Sequence, residues 1–254
     1  MIIEYLRPDT IEEAIDLLNR QNPRSIPLGG GTSLAQMRSG DATAVIDLQA
    51  LGMRKIEIKN DFLEIGANVT LQQLHDFSQV PPAFQAAITR EGNFNLRQKA
   101  TVGGTVASAG GGSPFNALLQ AGDAEIIWQP GLKPFSFKEF NRDNRKNNQG
   151  FISGIRIPYT SNYALESVSR TPLSESIICV CGAIQLDGTS RIVITEASNP
   201  LASVLFEGRL NPGEPDPHLI SAKWVEKNNI PDQYVGGILI ELLDRVITDL
   251  RKEG

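Results

Sequence analysis

The chain has 254 residues, of which 41% are hydrophobic and 21% are charged, and its formal net charge is −5. This acidic balance argues against a nucleic-acid partner, because such a partner requires a basic stripe on the surface. No apolar run reaches the roughly 18 residues of a membrane-spanning helix. Charged residues at positions 4, 7 and 9 interrupt the apolar core that a signal peptide needs. We therefore expect a cytoplasmic protein without membrane contact.

The N-terminal part predicts three short strands and one helix. Residues 2–6, 24–28 and 43–48 each have the pattern of a strand. Thr10 is followed by Glu12 and Glu13, as at a helix N-terminus, and apolar residues then recur at helical spacing over 11–18.

The next segment predicts a β-hairpin and two helices. Residues 55–59 alternate between polar and apolar, Asn60 and Asp61 form a turn, and residues 62–67 return. Thr70 is placed to cap a short helix, and a second helix is predicted over 84–92.

The second half of the chain predicts further strands and a closing helix. Strands are expected at 125–128, 154–158, 176–186 and 191–195, with a boundary at 158–162 and a Pro/Gly-rich connection at 211–217. The very polar stretch 141–148 is expected to be a solvated loop. The apolar stripe over 233–252 predicts a long amphipathic helix.

Two glycine-rich segments are the most informative part of the sequence. The first is Gly29–Ser33, between Leu28 and Leu34, and the second runs from Thr101 to Ala109. Each follows or interrupts a strand-like stretch and contains small hydroxyl residues. Glycine lets a ligand approach the backbone closely, and successive N–H groups in such turns form concave anion sites. The two segments, brought together, are therefore expected to hold a diphosphate from both sides.

Other binding and catalytic signatures are absent from the sequence. The three glycines 29–31 lack the spacing of a GxGxxG fingerprint, and no P-loop lysine follows them. His75 and His218 are the only histidines, and neither has a second ligand or an obvious nucleophile near it. Cys179 and Cys181 would share one face of a strand, where we interpret them as two small buried side chains. We predict no metal site and no catalytic residue.

Several short motifs occur in an order that is typical of one protein family. They are Arg7-Pro8, Gly29–Leu34, Ile46–Leu48, Leu63–Ala67 with Thr70, Arg97 with Ala100–Ala109, Leu118–Glu125 and Ile155–Pro158. With these motifs, over essentially the whole chain, the sequence resembles the flavoprotein or medium subunit of the molybdenum hydroxylases. That family includes carbon monoxide dehydrogenase and xanthine dehydrogenase-like enzymes.

The resemblance implies an α+β fold. We expect a two-subdomain FAD-binding fold of the vanillyl-alcohol-oxidase type plus a small C-terminal α+β domain. The FAD-binding domain is expected over 1–158, with subdomains at about 1–54 and 55–158, and the C-terminal domain over 162–254.

The resemblance also implies how FAD would be held. FAD would lie extended between the two subdomains, with its diphosphate on backbone amides of Gly29–Ser33 and Thr101–Thr105 and on nearby hydroxyls. No His or Cys lies in either segment, so no covalent flavin link is expected. The predicted cofactor-binding residues are Leu28, Gly29, Gly30, Gly31, Thr32, Ser33, Leu34, Arg97, Thr101, Val102, Gly103, Gly104, Thr105, Ala109, Pro114 and Ile152.

The function implied is that of an electron-transfer subunit. Electrons would reach FAD from iron–sulfur clusters on a small partner subunit and leave to an external acceptor. Substrate hydroxylation would belong to a molybdopterin-containing large subunit, so we expect a hetero-oligomer.

Three departures from the family pattern leave an alternative open. Thr105 stands where the family usually has Asn, Pro114 where it has Asp, and Glu166 where it often has a lysine near the flavin. Proline supplies no side-chain acceptor, and the change at position 166 inverts a charge. The alternative is a degenerate family member that acts as a scaffold subunit with weak or no FAD binding.

Individual side chains also have simpler interpretations. Arg97 is placed either to anchor the second glycine segment by hydrogen bonds to carbonyls or to contact FAD directly. Asp47 is expected to cap a strand end or form a salt bridge, and His75 to be exposed. Trp128 and Trp224 are interpreted as core or interface residues. For Phe115, a core role and a role in covering the flavin both remain as interpretations.

Overall fold

The computed structural model describes residues 2–33, 43–108, 112–131, 133–143, 150–159, 162–169, 176–185, 187–196, 203–211, 213–228 and 233–252. These residues form two compact units. The first consists of residues 1–78, 94–109 and 123–157, and the second of residues 79–93, 110–122 and 158–254. No helix within the described ranges is long and apolar enough to cross a membrane.

The first unit begins with a parallel three-stranded sheet. Strands β1 (Ile2–Leu6), β2 (Arg24–Leu28) and β3 (Thr43–Asp47) have the order β1-β3-β2. Helix α1 (Ile11–Leu18) is capped by Thr10, whose Oγ1 accepts the Glu13 N–H at 3.2 Å. Its buried side chains Ala14 and Leu18 pack in a cluster with Ile46. The strands and helix predicted for this part are confirmed.

A five-stranded sheet forms the rest of the first unit's framework. Its strands are β4 (Ile56–Lys59), β5 (Phe62–Gly66), β6 (Glu125–Gln129), β7 (Phe135–Ser136) and β8 (Phe151–Pro158), in the order β4-β5-β8-β6-β7. The predicted hairpin is present, and Asn60 and Asp61 turn with φ of 48° and 62°. Arg156 donates to Glu64 at 3.1 Å and to Glu125 at 2.7 Å, so it ties three of these strands together.

The second glycine-rich segment is a helix, whereas its glycines led us to expect a loop. Helix α2 (Leu71–His75) begins with a Thr70 capping box, and α4 (Phe94–Arg97) precedes α5 (Val102–Ser108). Glycine and β-branched residues have low helix propensity, so local preference disfavours α5. Hydrogen bonds to distant residues stabilise the helix in spite of this low propensity. Val102 N–H donates to Val69 O at 2.8 Å, and Gly103 N–H donates to Ala67 O at 2.9 Å.

The polar stretch predicted as a loop over 141–148 begins inside a helix. Helix α7 (Phe137–Asp143) extends into it, and residues 144–149 lie outside the described residues. Ser136 and Glu139 form reciprocal side-chain-to-backbone hydrogen bonds at the start of α7. The buried Phe137 and Phe140 anchor it. Because many of the neighbouring residues are polar, the sequence did not indicate that these two phenylalanines belong to a helix.

The second unit is an antiparallel sheet between helices. Strands β9 (Asn162–Ser169), β10 (Ser176–Ile184), β11 (Ser190–Glu196) and β12 (Ser203–Gly208) have the order β12-β11-β10-β9. Alternate side chains of the sheet pack in one cluster with α8 (Pro217–Asn228) and α9 (Gln233–Lys252). The opposite face contacts α6 (Pro114–Ala121), where Cys181 Sγ lies 3.8 Å from Pro114 O. The predicted closing helix is confirmed with the same bounds.

Two segments within the predicted first domain belong to the second unit. Residues 79–93 contain α3 (Pro82–Arg90), and residues 110–122 contain α6. Phe84 of α3 makes edge-on ring contacts with Phe115 and Tyr163, at centroid distances of 5.9 and 5.0 Å. These contacts join residues that are far apart in sequence, so the second unit is built from three separate stretches of the chain.

Candidate functional site

The first glycine segment forms an open turn directly after β2. Gly31 has φ of +76°, in the left-handed region that favours glycine. A Cβ on Gly30 would overlap the carbonyl oxygen of Lys99, so only glycine allows this close approach. Within the described residues, no backbone hydrogen bond uses the N–H groups of Gly30, Gly31 or Thr32. These groups are therefore available to an anionic ligand.

The second glycine segment uses its N–H groups internally. Val102, Gly103 and Thr105 donate to the carbonyls of Val69, Ala67 and Thr101 at 2.8 to 2.9 Å. Gly104 N–H donates to Thr101 Oγ1 at 3.2 Å. The expectation that this segment contributes its amides to a diphosphate therefore has no support for residues 102–105. What it still offers is close backbone approach at the glycines and the hydroxyl hydrogen of Thr101.

The two segments contact each other closely. A Cβ on Gly29 would lie 2.6 Å from Thr101 Oγ1. The hydroxyl oxygens of Ser33 and Ser108 are 2.7 Å apart, in an exposed position. The sequence prediction that the two segments meet is therefore correct, although the second is a helix.

A cleft of about 280 Å³ lies along this junction in the first unit. All of its described lining residues are uncharged at neutral pH, so a charged ligand here meets dipoles rather than ions. Trp128 and Phe140 form an aromatic wall, with ring centroids 6.0 Å apart. Ile152 pairs with Trp128 across β8 and β6, which brings both to the cleft. The cleft thus combines open N–H groups with an apolar wall of two rings tilted by 49°.

Most of the predicted site residues line this cleft. Those that do are Leu28, Gly29, Gly30, Gly31, Thr32, Ser33, Thr101, Gly103, Gly104 and Ile152. Val102 and Thr105 do not line it and are buried. Leu34 and Ala109 lie outside the described residues.

Arg97 and Pro114 are also absent from the lining. Arg97 Nε donates to Gln72 Oε1 at 3.0 Å, from α4. Pro114 belongs to the second unit, where it is buried in the first turn of α6. The role of Arg97 as an anchor of the second glycine segment through its carbonyls stays a prediction, because its observed bond is to a glutamine side chain.

The sequence interpretation missed several lining residues. Trp128 is half-buried and lines the cleft, whereas the sequence interpretation made it a core or interface residue. Phe140 was hidden in a stretch without a predicted helix. Ala107 and Ser108 follow Gly103 and Gly104 by four residues, so a helical reading of the segment would have placed them on the same face.

Other interpretations are settled by burial and hydrogen bonds. Asp47 accepts the Gln49 N–H at 2.9 Å and the Tyr5 hydroxyl, which confirms its capping role. That hydrogen bond raises the pKa of Tyr5 above its ordinary value. Trp224 and Phe115 are buried, as expected of core residues. His75 is half-buried and bonded to Asp76 at 3.0 Å, so it is less exposed than expected.

The two cysteines are free and buried, as predicted. Their sulfur atoms lie 3.6 Å apart on one face of β10. Burial raises the pKa of Cys181 well above its ordinary value, so the thiol stays protonated and unreactive.

Comparison with known proteins identifies the family. Residues 1–160 match the family model described as the FAD binding domain in molybdopterin dehydrogenase. The match covers more than half of the chain, so this chain belongs to that family. The resemblance inferred from the motifs and the prediction of FAD as the cofactor are thereby confirmed.

Two relatives and one solved structure show the extent of the likeness. The chain is 32% identical over 132 residues to the YgfM protein of Escherichia coli strain K12, a match covering 52% of this chain and 51% of that protein. It is 26% identical over 217 residues to caffeine dehydrogenase subunit beta of Pseudomonas sp. strain CBB1, covering 79% and 72% of the two chains.

The fold is shared with a carbon monoxide dehydrogenase chain. The structure superposes on that chain, from Hydrogenophaga pseudoflava, with a TM-score of 0.80 at 18% identity. The superposition covers 99% of this chain and 98% of that chain. It shows the mixed α and β fold expected from the sequence.

Proposed function

We propose that this chain is the FAD-binding electron-transfer subunit of a multi-subunit molybdenum hydroxylase or dehydrogenase. It would pass electrons from iron–sulfur clusters on a partner to an external acceptor. The observation that carries the proposal is the cleft itself, in which the open N–H groups of Gly30–Thr32 adjoin an aromatic wall. A chain of this family needs such a cleft to bind FAD.

The residues present fit FAD by their chemistry. A diphosphate requires hydrogen-bond donors and no nearby carboxylates, and the described lining offers N–H and hydroxyl groups without any charged side chain. The flat ring systems require an apolar surface, which Trp128, Phe140 and Ile152 supply. Gly29 and Gly30 allow the turn to pack against Thr101 and Lys99, and the N–H groups of Gly30–Thr32 make no backbone hydrogen bond among the described residues.

The chain's own contribution is to bind and position the cofactor. Bound FAD supplies the electron-carrying chemistry, taking up and giving off electrons. The described lining residues include no acidic, basic or histidine side chain, so we assign none of them an acid or base role. Trp128, Phe140 and Ile152 would shield a ring system of the cofactor from water, and the Gly30–Thr32 N–H groups would hold its diphosphate.

The relatives' names support the assembly that we propose. Caffeine dehydrogenase subunit beta is by name one subunit among several. We propose that this chain likewise assembles with a molybdopterin-containing large subunit and an iron–sulfur small subunit, as a cytoplasmic hetero-oligomer. The subdomains at about 1–54 and 55–158, the C-terminal domain at 162–254 and the vanillyl-alcohol-oxidase type of fold are parts of the same proposal.

A scaffold role without FAD is the second candidate. Three observations favour it: the amides of Val102–Thr105 are used internally, Thr105 is buried, and Pro114 is buried in the second unit. A chain of this kind would keep the fold and its partner surfaces but bind FAD weakly or not at all.

An absorption spectrum of the purified chain from 300 to 550 nm separates the two candidates. The chain is measured as isolated, and again after incubation with excess FAD and desalting. We expect flavin bands, with FAD close to stoichiometric after heat release. No bands after reconstitution, either alone or co-expressed with the large and small subunits, would establish the scaffold role instead.

One substitution tests whether the flavin occupies this cleft. Ala107 lines the cleft and is exposed, so a larger side chain there fills the cleft without entering the core. We expect Ala107→Trp to lose the flavin bands and Ala107→Ser to keep them, with unchanged far-UV circular dichroism in both. Full flavin retention in Ala107→Trp would place FAD elsewhere.

A further inference from the structure

One hydrogen-bond chain links the two glycine segments at the mouth of the cleft. Ser108 Oγ lies 2.7 Å from Gly104 O, and Ser33 Oγ lies 2.7 Å from Ser108 Oγ. Both serines line the cleft. The sequence interpretation included Ser33 as a cofactor ligand but did not single out Ser108.

Each hydroxyl hydrogen in this series of two hydrogen bonds can be assigned to one acceptor. A serine hydroxyl has one hydrogen to donate, and a carbonyl oxygen can only accept. The short contact to Gly104 O therefore requires the hydrogen of Ser108. Ser108 Oγ then has only lone pairs for Ser33, so the second short contact requires the hydrogen of Ser33. In this state the Ser33 hydroxyl has no hydrogen left for a ligand.

A bound diphosphate changes the preferred partner of Ser33. A hydroxyl donates more strongly to a charged oxygen than to a neutral hydroxyl. The open N–H groups of Gly30–Thr32 would hold the diphosphate beside Ser33, one residue further along the chain. The Ser33 hydrogen can then serve either Ser108 or the diphosphate, but not both.

We propose that Ser108 competes with the cofactor diphosphate for the single hydroxyl hydrogen of Ser33. Ser108 is thus a positioning residue that holds the empty cleft in a fixed form and lowers its affinity for FAD. This inference rests on the proposed function, because it takes FAD as the ligand. Its particular consequence is that removing the Ser108 hydroxyl improves binding, although that hydroxyl belongs to the site.

Titration with FAD, followed by quenching of flavin fluorescence, tests the competition. We expect Ser108→Ala to bind FAD about threefold to tenfold more tightly than wild type, and Ser33→Ala to bind it more weakly by a similar factor. The double variant should bind like Ser33→Ala, because Ser108 acts only through Ser33. Ser108→Thr keeps the hydroxyl and should restore wild-type affinity.

A matched control uses a serine outside the cleft. Ser153 Oγ donates to Ile127 O at 3.1 Å in the same unit but does not line the cleft. Ser153→Ala should leave the affinity for FAD unchanged. If Ser108→Ala binds FAD no more tightly than wild type, the competition is refuted.

Thermal unfolding of the FAD-free protein tests the serine pair separately from the proposed function. Each single alanine variant should lower the melting temperature by about 2 °C. The double variant should lower it by less than the sum, since both changes remove the same hydrogen bond. Additive losses of melting temperature would refute the hydrogen bond between Ser33 and Ser108, even if the protein binds FAD. If wild type binds no FAD, the proposed function and the competition both fail, while non-additive losses would still establish the pair.

Discussion

The two glycine-rich segments resemble each other in sequence but have different roles in the structure. Residues 29–33 form an open turn, and the N–H groups of Gly30, Gly31 and Thr32 make no backbone hydrogen bond among the described residues. Residues 102–108 form a helix. Its first N–H groups donate to the carbonyls of Val69, Ala67 and Thr101 and to the hydroxyl oxygen of Thr101. The first segment therefore provides donors, and the second provides a surface against which the first is packed.

The comparison teaches that glycine content alone does not identify an anion site. What matters is whether the N–H groups already have partners in the folded chain. In the second segment, Gly103 allows contact with Ala67, where a Cβ would approach to 2.7 Å. In the first, Gly30 allows contact with Lys99 O, yet its own N–H makes no backbone hydrogen bond to a described residue.

The largest expected effect separates Gly30 from Gly104. A Cβ on Gly30 would overlap backbone atoms of Lys99, whereas one on Gly104 meets only the Thr101 hydroxyl at 2.9 Å. We expect Gly30→Ala to lower the free energy of unfolding by about 2 to 3 kcal/mol, and Gly104→Ala to change it by less than about 0.5 kcal/mol.

Urea unfolding measured by tryptophan fluorescence checks this difference. Trp128 lies in the first unit and Trp224 in the second, so a Trp224→Phe background makes the signal report the first unit. Equal losses of unfolding free energy in Gly30→Ala and Gly104→Ala would show that the two segments are packed alike and would contradict this difference.

A charge placed in the cleft tests whether dipoles alone hold the ligand. Ala107→Asp puts a carboxylate among described lining residues that are all uncharged, and Ala107→Asn adds nearly the same volume without the charge. We expect Ala107→Asp to bind FAD roughly tenfold more weakly than Ala107→Asn, because the carboxylate repels the diphosphate. Isothermal titration calorimetry measures both. Equal affinities of the two variants would place the diphosphate away from α5.

A smaller effect is expected from the backbone conformation of the first turn. Gly31 has φ of +76°, which alanine adopts with strain and asparagine more readily. We expect Gly31→Ala to lower the free energy of unfolding by about 1 kcal/mol and Gly31→Asn by about half as much. The fluorescence assay described for Gly30 applies. A larger loss in Gly31→Asn than in Gly31→Ala would argue against a left-handed turn here.

The smallest effect concerns the sheet that carries the first segment. The hydrogen bond to Asp47 raises the pKa of Tyr5, so the folded protein holds this proton more tightly than the unfolded chain does. The resulting stabilisation is present below the unfolded pKa of about 10 and decreases as the pH rises above it.

Urea midpoints between pH 8 and pH 11 measure this dependence. We expect Tyr5→Phe to flatten the decline above pH 10, and Asp47→Asn to flatten it as well because the carboxylate is removed. A decline as steep in both variants as in wild type would show that other groups cause it.

Much of the first unit could be predicted from local sequence. Hydrophobic periodicity and the cap at Thr10 gave α1, and alternation around Asn60 and Asp61 gave the β4–β5 hairpin. Helix α5 could not be predicted in this way, since Gly103 and Gly104 oppose helix formation and the stabilising partners lie about 35 residues earlier. The helix predicted over 84–92 is present as α3 (Pro82–Arg90), but its place in the second unit, like that of α6, depends on ring packing among Phe84, Phe115 and Tyr163.

The sequence by itself determined the family, the cofactor class and about half of the described lining residues, because glycines and hydroxyls at these positions are typical motifs. Only the tertiary structure decided which backbone donors remain open, because that depends on hydrogen bonds between distant residues. It also brought Trp128 opposite Ile152, since pairing between strands fixes which side chains share a face. It placed Ser33 beside Ser108 for the same reason: two residues 75 positions apart meet only when the chain has folded.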